Sequence, residues 1–179
     1  MLGKTSVFLI GPMGSGKTAV GRHLARALGV PFHDSDAEIE RRTGVDIPFI
    51  FEKEGEAGFR AREREAIEAL TALDRVVLAT GGGAVIDADN RRCLAARGVV
   101  VYLETSLAQQ LERTRHGRHR PLLNEADPKA KLAALMLARA ALYAEVADLT
   151  VSTDGRRVQL VAEEIHRALH RHGERKKPV

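Results

Sequence analysis

Eight residues near the start of the chain, Gly11-Pro12-Met13-Gly14-Ser15-Gly16-Lys17-Thr18, combine bare backbone, one ammonium and two hydroxyls. Glycine loses the most backbone freedom on folding, so three of them in one corner weaken any element that only packs. The spacing, a glycine and four residues before Gly16-Lys17-Thr18, suits a loop whose N–H groups wrap a phosphate chain. In such a loop Lys17 meets the outer phosphates and Thr18 offers its hydroxyl to Mg²⁺. The start of the following helix adds a field that favours anions. An apolar run, Ser6–Ile10, precedes the loop and an amphipathic stretch follows it, as that chemistry requires. The spacing predicts a nucleoside-triphosphate site, with Gly14, Ser15, Gly16, Lys17, Thr18 and Ala19 as its contacts.

A second constellation is His33-Asp34-Ser35-Asp36. Two carboxylates two residues apart at the end of an extended run point to the same side. That side faces the carboxyl end of a sheet, where open α/β folds bind ligands. One carboxylate would anchor a magnesium-bound water, and the other would bind or deprotonate an acceptor hydroxyl. Either also suits the cap of the helix that follows, a role compatible with chemistry.

The phosphate loop alone does not choose among GTPases, ATP-driven machines and small-molecule kinases. No N-K-x-D base-reading motif is present. The apolar run ending at Thr80 leads into Gly81-Gly82-Gly83, where an ATPase motor would carry an acidic residue for its metal.

Composition narrows the partners. The chain has 179 residues, 44% hydrophobic and 29% charged, which suits one domain with an ordinary core. The net charge of +4 fits an enzyme that handles anions. With no Trp, two Tyr and five Phe, stacking platforms for single-stranded nucleic acid are hard to assemble, so none is expected as a partner. Cys93 is the only cysteine, which excludes an internal disulfide and fits an inert thiol in a reducing compartment. No apolar run approaches the ~18 residues of a membrane span and no signal-peptide layout opens the chain. The expectation is a cytoplasmic protein with no membrane partner.

The elements that must position these groups alternate. Strand patterns fall at 6–10, 30–33, 75–80, 98–104 and 149–153. Helical patterns fall at 17–29, across 36–53, and at 55–73, 88–96, from 106, 128–145 and 156–171. The strands are near-continuous apolar runs, as a parallel sheet covered on both faces demands. The fold class is α/β, a three-layer α/β/α domain with about five parallel strands. The polar C-terminal stretch from His172 is expected to fray.

Taken in order, "GPMGSGKT", "DSDAEIERRTG", "FEKEGEAGFRAREREAI", "LATGGGAV", "VVYLE" and "RHRPLL" resemble the shikimate kinase family over residues 5 to 165. The resemblance implies one kinase domain over 1–179, with a substrate-binding segment at about 34–62 and a lid at about 112–124. It implies ATP and shikimate as substrates and Mg²⁺ as cofactor, held by Thr18 and, through water, Asp34. Asp36 would bind the ring hydroxyls and act as general base, with Lys17 and Arg120 as the other catalytic residues. Arg60 and Arg139 would grip the shikimate carboxylate, as arginine's planar fork allows, and backbone at Gly82 would approach the ring. Arg120 of the lid would reach the ATP phosphates, and Arg156 lies where the family contacts the adenine side.

Local residues modify that picture. Glu63, one turn after Arg60, either orients it or belongs to a solvated helix face. Ala141 stands where the family commonly has proline. Arg113, Arg115, His116, Arg118 and His119 are expected to stay solvated. A monomer is expected. Rival readings are another small kinase, such as one for gluconate, a nucleotide-gated regulator with a degenerate site, and a nucleic-acid binder resting on the basic tail.

Overall fold

The structure is a computed structural model, and it describes residues 6–114 and 127–175, with side chains through residue 171. Five strands form one sheet in the order β2-β3-β1-β4-β5, and every pairing is parallel. They are β1 (Ser6–Ile10), β2 (Phe32–Asp34), β3 (Val77–Ala79), β4 (Gly98–Glu104) and β5 (Leu149–Ser152). Strand β1 lies at the centre, with Val7 opposite Val77 on one side and Val99 on the other. All five of its residues are buried, which explains a run with no polar alternation.

Alternate side chains of the strands feed two separate cores. Val7, Leu9 and Val101 pack with Val20 and Leu24 of α1 (Lys17–Leu28) and with Val161, Ile165 and Leu169 of α7 (Val158–Arg175). Phe8, Ile10 and Val100 face the opposite way. They meet Ile67 of α3 (Ile47–Thr71), Leu94 of α4 (Ala88–Arg97), and Tyr143 of α6 (Pro128–Val146). Two helical layers therefore sandwich the sheet, the architecture expected from the sequence. A third, smaller core of Ile39, Ile50, Phe59 and Ala66 joins α2 (Ser35–Thr43) to α3. The remaining helix, α5 (Leu107–Thr114), follows β4.

Several boundaries differ from the sequence reading, each for a local reason. β2 begins at Phe32 rather than Val30, because the Val30 N–H donates to the Ala25 carbonyl in the cap of α1. β3 is shorter than 75–80, since Arg75 takes φ 54 in the preceding turn. The helical stretch expected across 36–53 divides within itself, whereas the expected boundary between 53 and 55 is kept. α2 ends at Gly44, and α3 continues through a break at Gly55, whose φ of 69 and ψ of −174 are not helical. α7 runs on to Arg175, past the point where fraying was expected. Cys93 is partly buried against the second core, close to expectation. Among the described residues no helix is long and apolar enough to cross a membrane.

Candidate active site

The carboxyl ends of β1, β2 and β3 open into one cavity of about 420 Å³. Its floor is the loop from Gly11 to Gly16. Gly11 has φ 145, and a Cβ there would lie 2.5 Å from the Leu103 carbonyl oxygen of β4, so only glycine fits. Lys17 is buried at the start of α1. Its Nζ donates to the carbonyls of Gly11 at 2.7 Å and Pro12 at 2.8 Å, which holds the ammonium across the mouth of the loop. Arg113 secures the loop from outside, donating to the Gly14 carbonyl at 2.9 Å and to the Thr153 carbonyl at 2.9 Å. It was expected to stay solvated. It lies instead in the last turn of α5, a regular helix that aims it at the loop.

Asp34 and Asp36 do not share a face of an extended chain. The helix begins between them, at Ser35, so Asp34 is the N-cap of α2 and Asp36 sits in its first turn. One Asp34 oxygen accepts from the Asp36 N–H at 3.0 Å and the Ala37 N–H at 3.3 Å. The other accepts from the Thr18 hydroxyl at 2.8 Å. Asp34 thus ties the phosphate loop to the wall that carries Asp36. The Asp36 carboxyl is pushed up to about 7. Burial is the main cause, the carboxylates of Asp34 and Glu63 add to it, and Lys17 pulls the other way.

The glycine triplet lines the facing wall, and each glycine meets a different partner. The Gly81 N–H donates to the buried Ser35 hydroxyl at 2.9 Å. A Cβ at Gly81 would lie 2.8 Å from Glu63 Oε1 and 2.9 Å from Asp36 Oδ1. A Cβ at Gly83 would lie 2.4 Å from Arg60 Nη2. The Gly82 carbonyl accepts from the Tyr143 hydroxyl at 2.5 Å.

Arg60 projects from α3 beneath Gly83. Its Nη1 donates to Glu63 Oε2 at 2.7 Å and its Nη2 to Glu56 Oε1 at 3.2 Å. Burial lowers the pKa of the guanidinium, but Glu63 and Glu56 together outweigh that and leave it raised. Glu63 is only 1% exposed, which excludes the solvated-face reading. Burial raises its carboxyl, with Arg60 and Arg139 opposing. Arg139, 5% exposed on α6, lines the same cavity from the other side. Tyr143, one turn later, stacks on Tyr102 with ring centroids 5.0 Å apart.

Three buried polar atoms here, Asp36 Oδ1, Arg60 Nε and Glu63 Oε1, have no hydrogen-bond partner. Buried polar atoms left open at one cavity mark a place for a polar ligand. The cavity therefore has two ends, a phosphate cradle at Lys17 and Thr18, and an acceptor end rich in arginine around one carboxyl of raised pKa. The sequence reading placed Gly14, Gly16, Lys17, Thr18, Ala19, Asp34, Asp36, Arg60, Gly82 and Arg139 at the site, and all ten line this cavity. Ser15 is fully buried behind the loop. Arg156 does not line the cavity: it donates to the Ser152 carbonyl at 3.0 Å and pairs with Glu164. Arg120 lies outside the described residues.

Sequence reasoning missed Tyr143, Arg113 and the separate duties of Gly81 and Gly83. Only the i, i+4 spacing of Arg139 and Tyr143 on one helix hinted at the first. Among the described residues no cluster of three or more His, Cys, Asp or Glu is arranged to hold a metal.

Comparison with known proteins agrees with this geometry. The sequence model described as shikimate kinase matches residues 13–170. A shikimate kinase of Halorhodospira halophila is 59% identical over 163 residues, covering 91% of this chain and 92% of the relative. One from Methylococcus capsulatus is 58% identical, covering 86% of each. The solved shikimate kinase of Acinetobacter baumannii, in complex with shikimate, superposes with a TM-score of 0.93 at 49% identity, covering 95% of both chains. A gluconokinase of Sinorhizobium meliloti, at 19% identity and a TM-score of 0.57 over 96% of this chain and 95% of its own, shares the fold alone. With two thirds and more of the chain matched at such identity, and the phosphate cradle and arginine-lined acceptor end in place, this protein belongs to the shikimate kinase family.

Proposed function

We propose that the chain transfers the γ-phosphoryl group of ATP to the 3-hydroxyl of shikimate, giving shikimate 3-phosphate and ADP. The observation that carries this reading is the acceptor end of the cavity. Arg60, held by Glu63, and Arg139 line it together with the half-buried Asp36. A ligand with one carboxylate and several hydroxyls matches that set, because two guanidinium groups bind a carboxylate through charge-assisted bonds.

The loop amides from Gly14 to Ala19 and Lys17 bind the triphosphate, and Lys17 stabilises the charge that develops on the transferring group. Asp36 holds the acceptor hydroxyl and accepts its proton. A pKa near 7 suits that role, since proton transfer works best when base and working pH are close. Thr18 and, through water, Asp34 would hold Mg²⁺. Their oxygen donors fit a hard dication, which when bound neutralises charge on the outer phosphates. Gly82 presents backbone to the ring. Arg120, beyond the described residues, is assigned to the phosphates on closure of a lid, and its family position supports that. Arg156, paired with Glu164, is assigned to the adenine side by its family position.

In this reading the chain acts as one kinase domain and as a monomer. A cytoplasmic setting fits a phosphotransferase that draws on ATP. ADP release, measured over a panel of small polyols with and without shikimate, tests the proposal. Release that depends on shikimate supports it. Release driven by gluconate instead would move the chain to the other kinase class, and ATP binding without turnover would make it a regulator.

A further inference from the structure

Helix α7 buries Val161, Ala162, Ile165 and Leu169 against the sheet and α1. Its outer side carries a pair that this packing does not need. His166 and His170, one turn apart, bring their Nε2 atoms to 3.1 Å, with ring centroids 4.6 Å apart and planes at 80°. Neither histidine touches the cavity or takes part in the phosphotransfer assigned above. Two neutral imidazoles at that distance share one hydrogen bond at most.

The same separation suits a different occupant. Metal–nitrogen bonds of about 2.0–2.1 Å to both atoms close an angle of about 98° at the metal, using the observed 3.1 Å. That lies between the ~90° edge of square-planar or octahedral coordination and the ~109° of a tetrahedron. Imidazole nitrogen favours zinc, copper and nickel over magnesium, which prefers oxygen. His170 is exposed and His166 partly so, so water can complete the coordination sphere. Arg167 and Arg171 flank it and keep the affinity for a dication moderate.

We propose that His166 and His170 form a two-ligand site for a divalent transition-metal ion on the outer face of α7, separate from the catalytic cavity. An ion bound there clips two successive turns of the last helix and stabilises the folded chain. Ligands that bind the native state alone raise stability with their concentration.

The test is titration of tag-free protein with Zn²⁺, followed by calorimetry and by thermal unfolding, on the wild type and on His166→Ala and His170→Ala. Both side chains lie off the buried face, and His166→Gln and His170→Gln repeat the measurement with polar replacements. The expected result is a site in the wild type whose affinity falls tenfold or more in each variant, together with loss of the Zn²⁺-induced rise in Tm. Equal binding and equal stabilisation in wild type and variants would overturn the proposal. Loss in one variant alone would also overturn it, because the ion would then bind a single histidine or another partner. Neither readout involves phosphotransfer, so the outcome is independent of the catalytic assignment.

Discussion

The Tyr143 hydroxyl donates to the Gly82 carbonyl across 61 residues of sequence, and Arg139, one turn earlier on α6, lines the cavity that Gly82 borders. One helix thus sets both a cavity-lining cation and the peptide plane of Gly82. Burial raises the Tyr143 pKa to about 12, against the pull of Arg139, so the phenol keeps its donor proton at all working pH values. Tyr143→Phe removes that donor and leaves the Gly82 carbonyl without it, at a cost of about 1–3 kcal/mol in stability. KM for shikimate should rise several-fold while KM for ATP stays near wild type. Steady-state kinetics in each substrate, with urea unfolding alongside, check this. Equal rises in both KM values would contradict the positioning role.

Asp36 gives a pH prediction. Its folded pKa of about 7 lies above the ordinary aspartate value of 3.8, so the folded state holds this proton more tightly. The stability linked to it is complete below about pH 4 and is lost as pH rises through about 7. Asp36→Asn carries no such charge. It should be more stable than wild type at pH 8, by about 2–4 kcal/mol, with the difference closing by pH 4. Denaturant melts at both pH values measure it. The same variant should lose turnover far more than shikimate affinity, since it retains hydrogen bonding but has no base.

Arg60→Ala should fail in the opposite manner. It removes charge-assisted bonds to the acceptor carboxylate, each worth about 1.5–3 kcal/mol, so shikimate affinity should fall ten- to a hundred-fold or more. Calorimetric titration without nucleotide isolates that loss. An acceptor lacking the carboxylate should barely distinguish wild type from variant. Glu63→Gln should show a smaller loss of the same kind, since it leaves the guanidinium in place but weakens the 2.7 Å bond that aims it.

Lys17→Ala should lower kcat by about 10²–10³ or more, the cost of removing a charge aimed at the transition state. Circular dichroism should show an intact fold. Near-normal turnover in the folded variant would remove the phosphate-loop assignment.

Much of this was legible from residue order. The glycine loop between Ser6–Ile10 and the amphipathic stretch from Lys17 has its chemistry in its spacing, and the alternation of apolar runs and helical patterns gave the sheet. What escaped was set by contacts between distant segments. In "GFRAREREAI" every charged residue looks alike, yet Glu63 is buried while Arg62 pairs with Glu54 in solvent. Helical spacing places Glu63 on the face of Phe59, Ala66 and Ile67, but only the distant glycine wall closes that face over a carboxylate. Asp34 and Asp36 were read on an extended chain although "DSDAEIE" also carries a capping signal, and the cap is what the backbone adopts. Arg113 was grouped with an aperiodic basic stretch whose first residues belong to a helix.

Gly81, Gly82 and Gly83 are each fastened to a different helix, through Ser35 of α2, Tyr143 of α6 and the close approach of Arg60 on α3. For the history of such a sequence this means that drift at Gly81 or Gly83 must displace a charged side chain of the cavity, whereas a Cβ at Gly82 comes no closer than 3.3 Å, to the Met13 N–H. A methyl group at Gly83 displaces the Arg60 guanidinium, and a change at Arg60 to make room for it breaks the bond to Glu63. Repair would require coordinated change on separate helices, through intermediates that bind poorly. New acceptor specificities are therefore more readily reached by altering Ile47 or Phe51, which border the cavity without bonding to the triplet, than by rebuilding the wall itself.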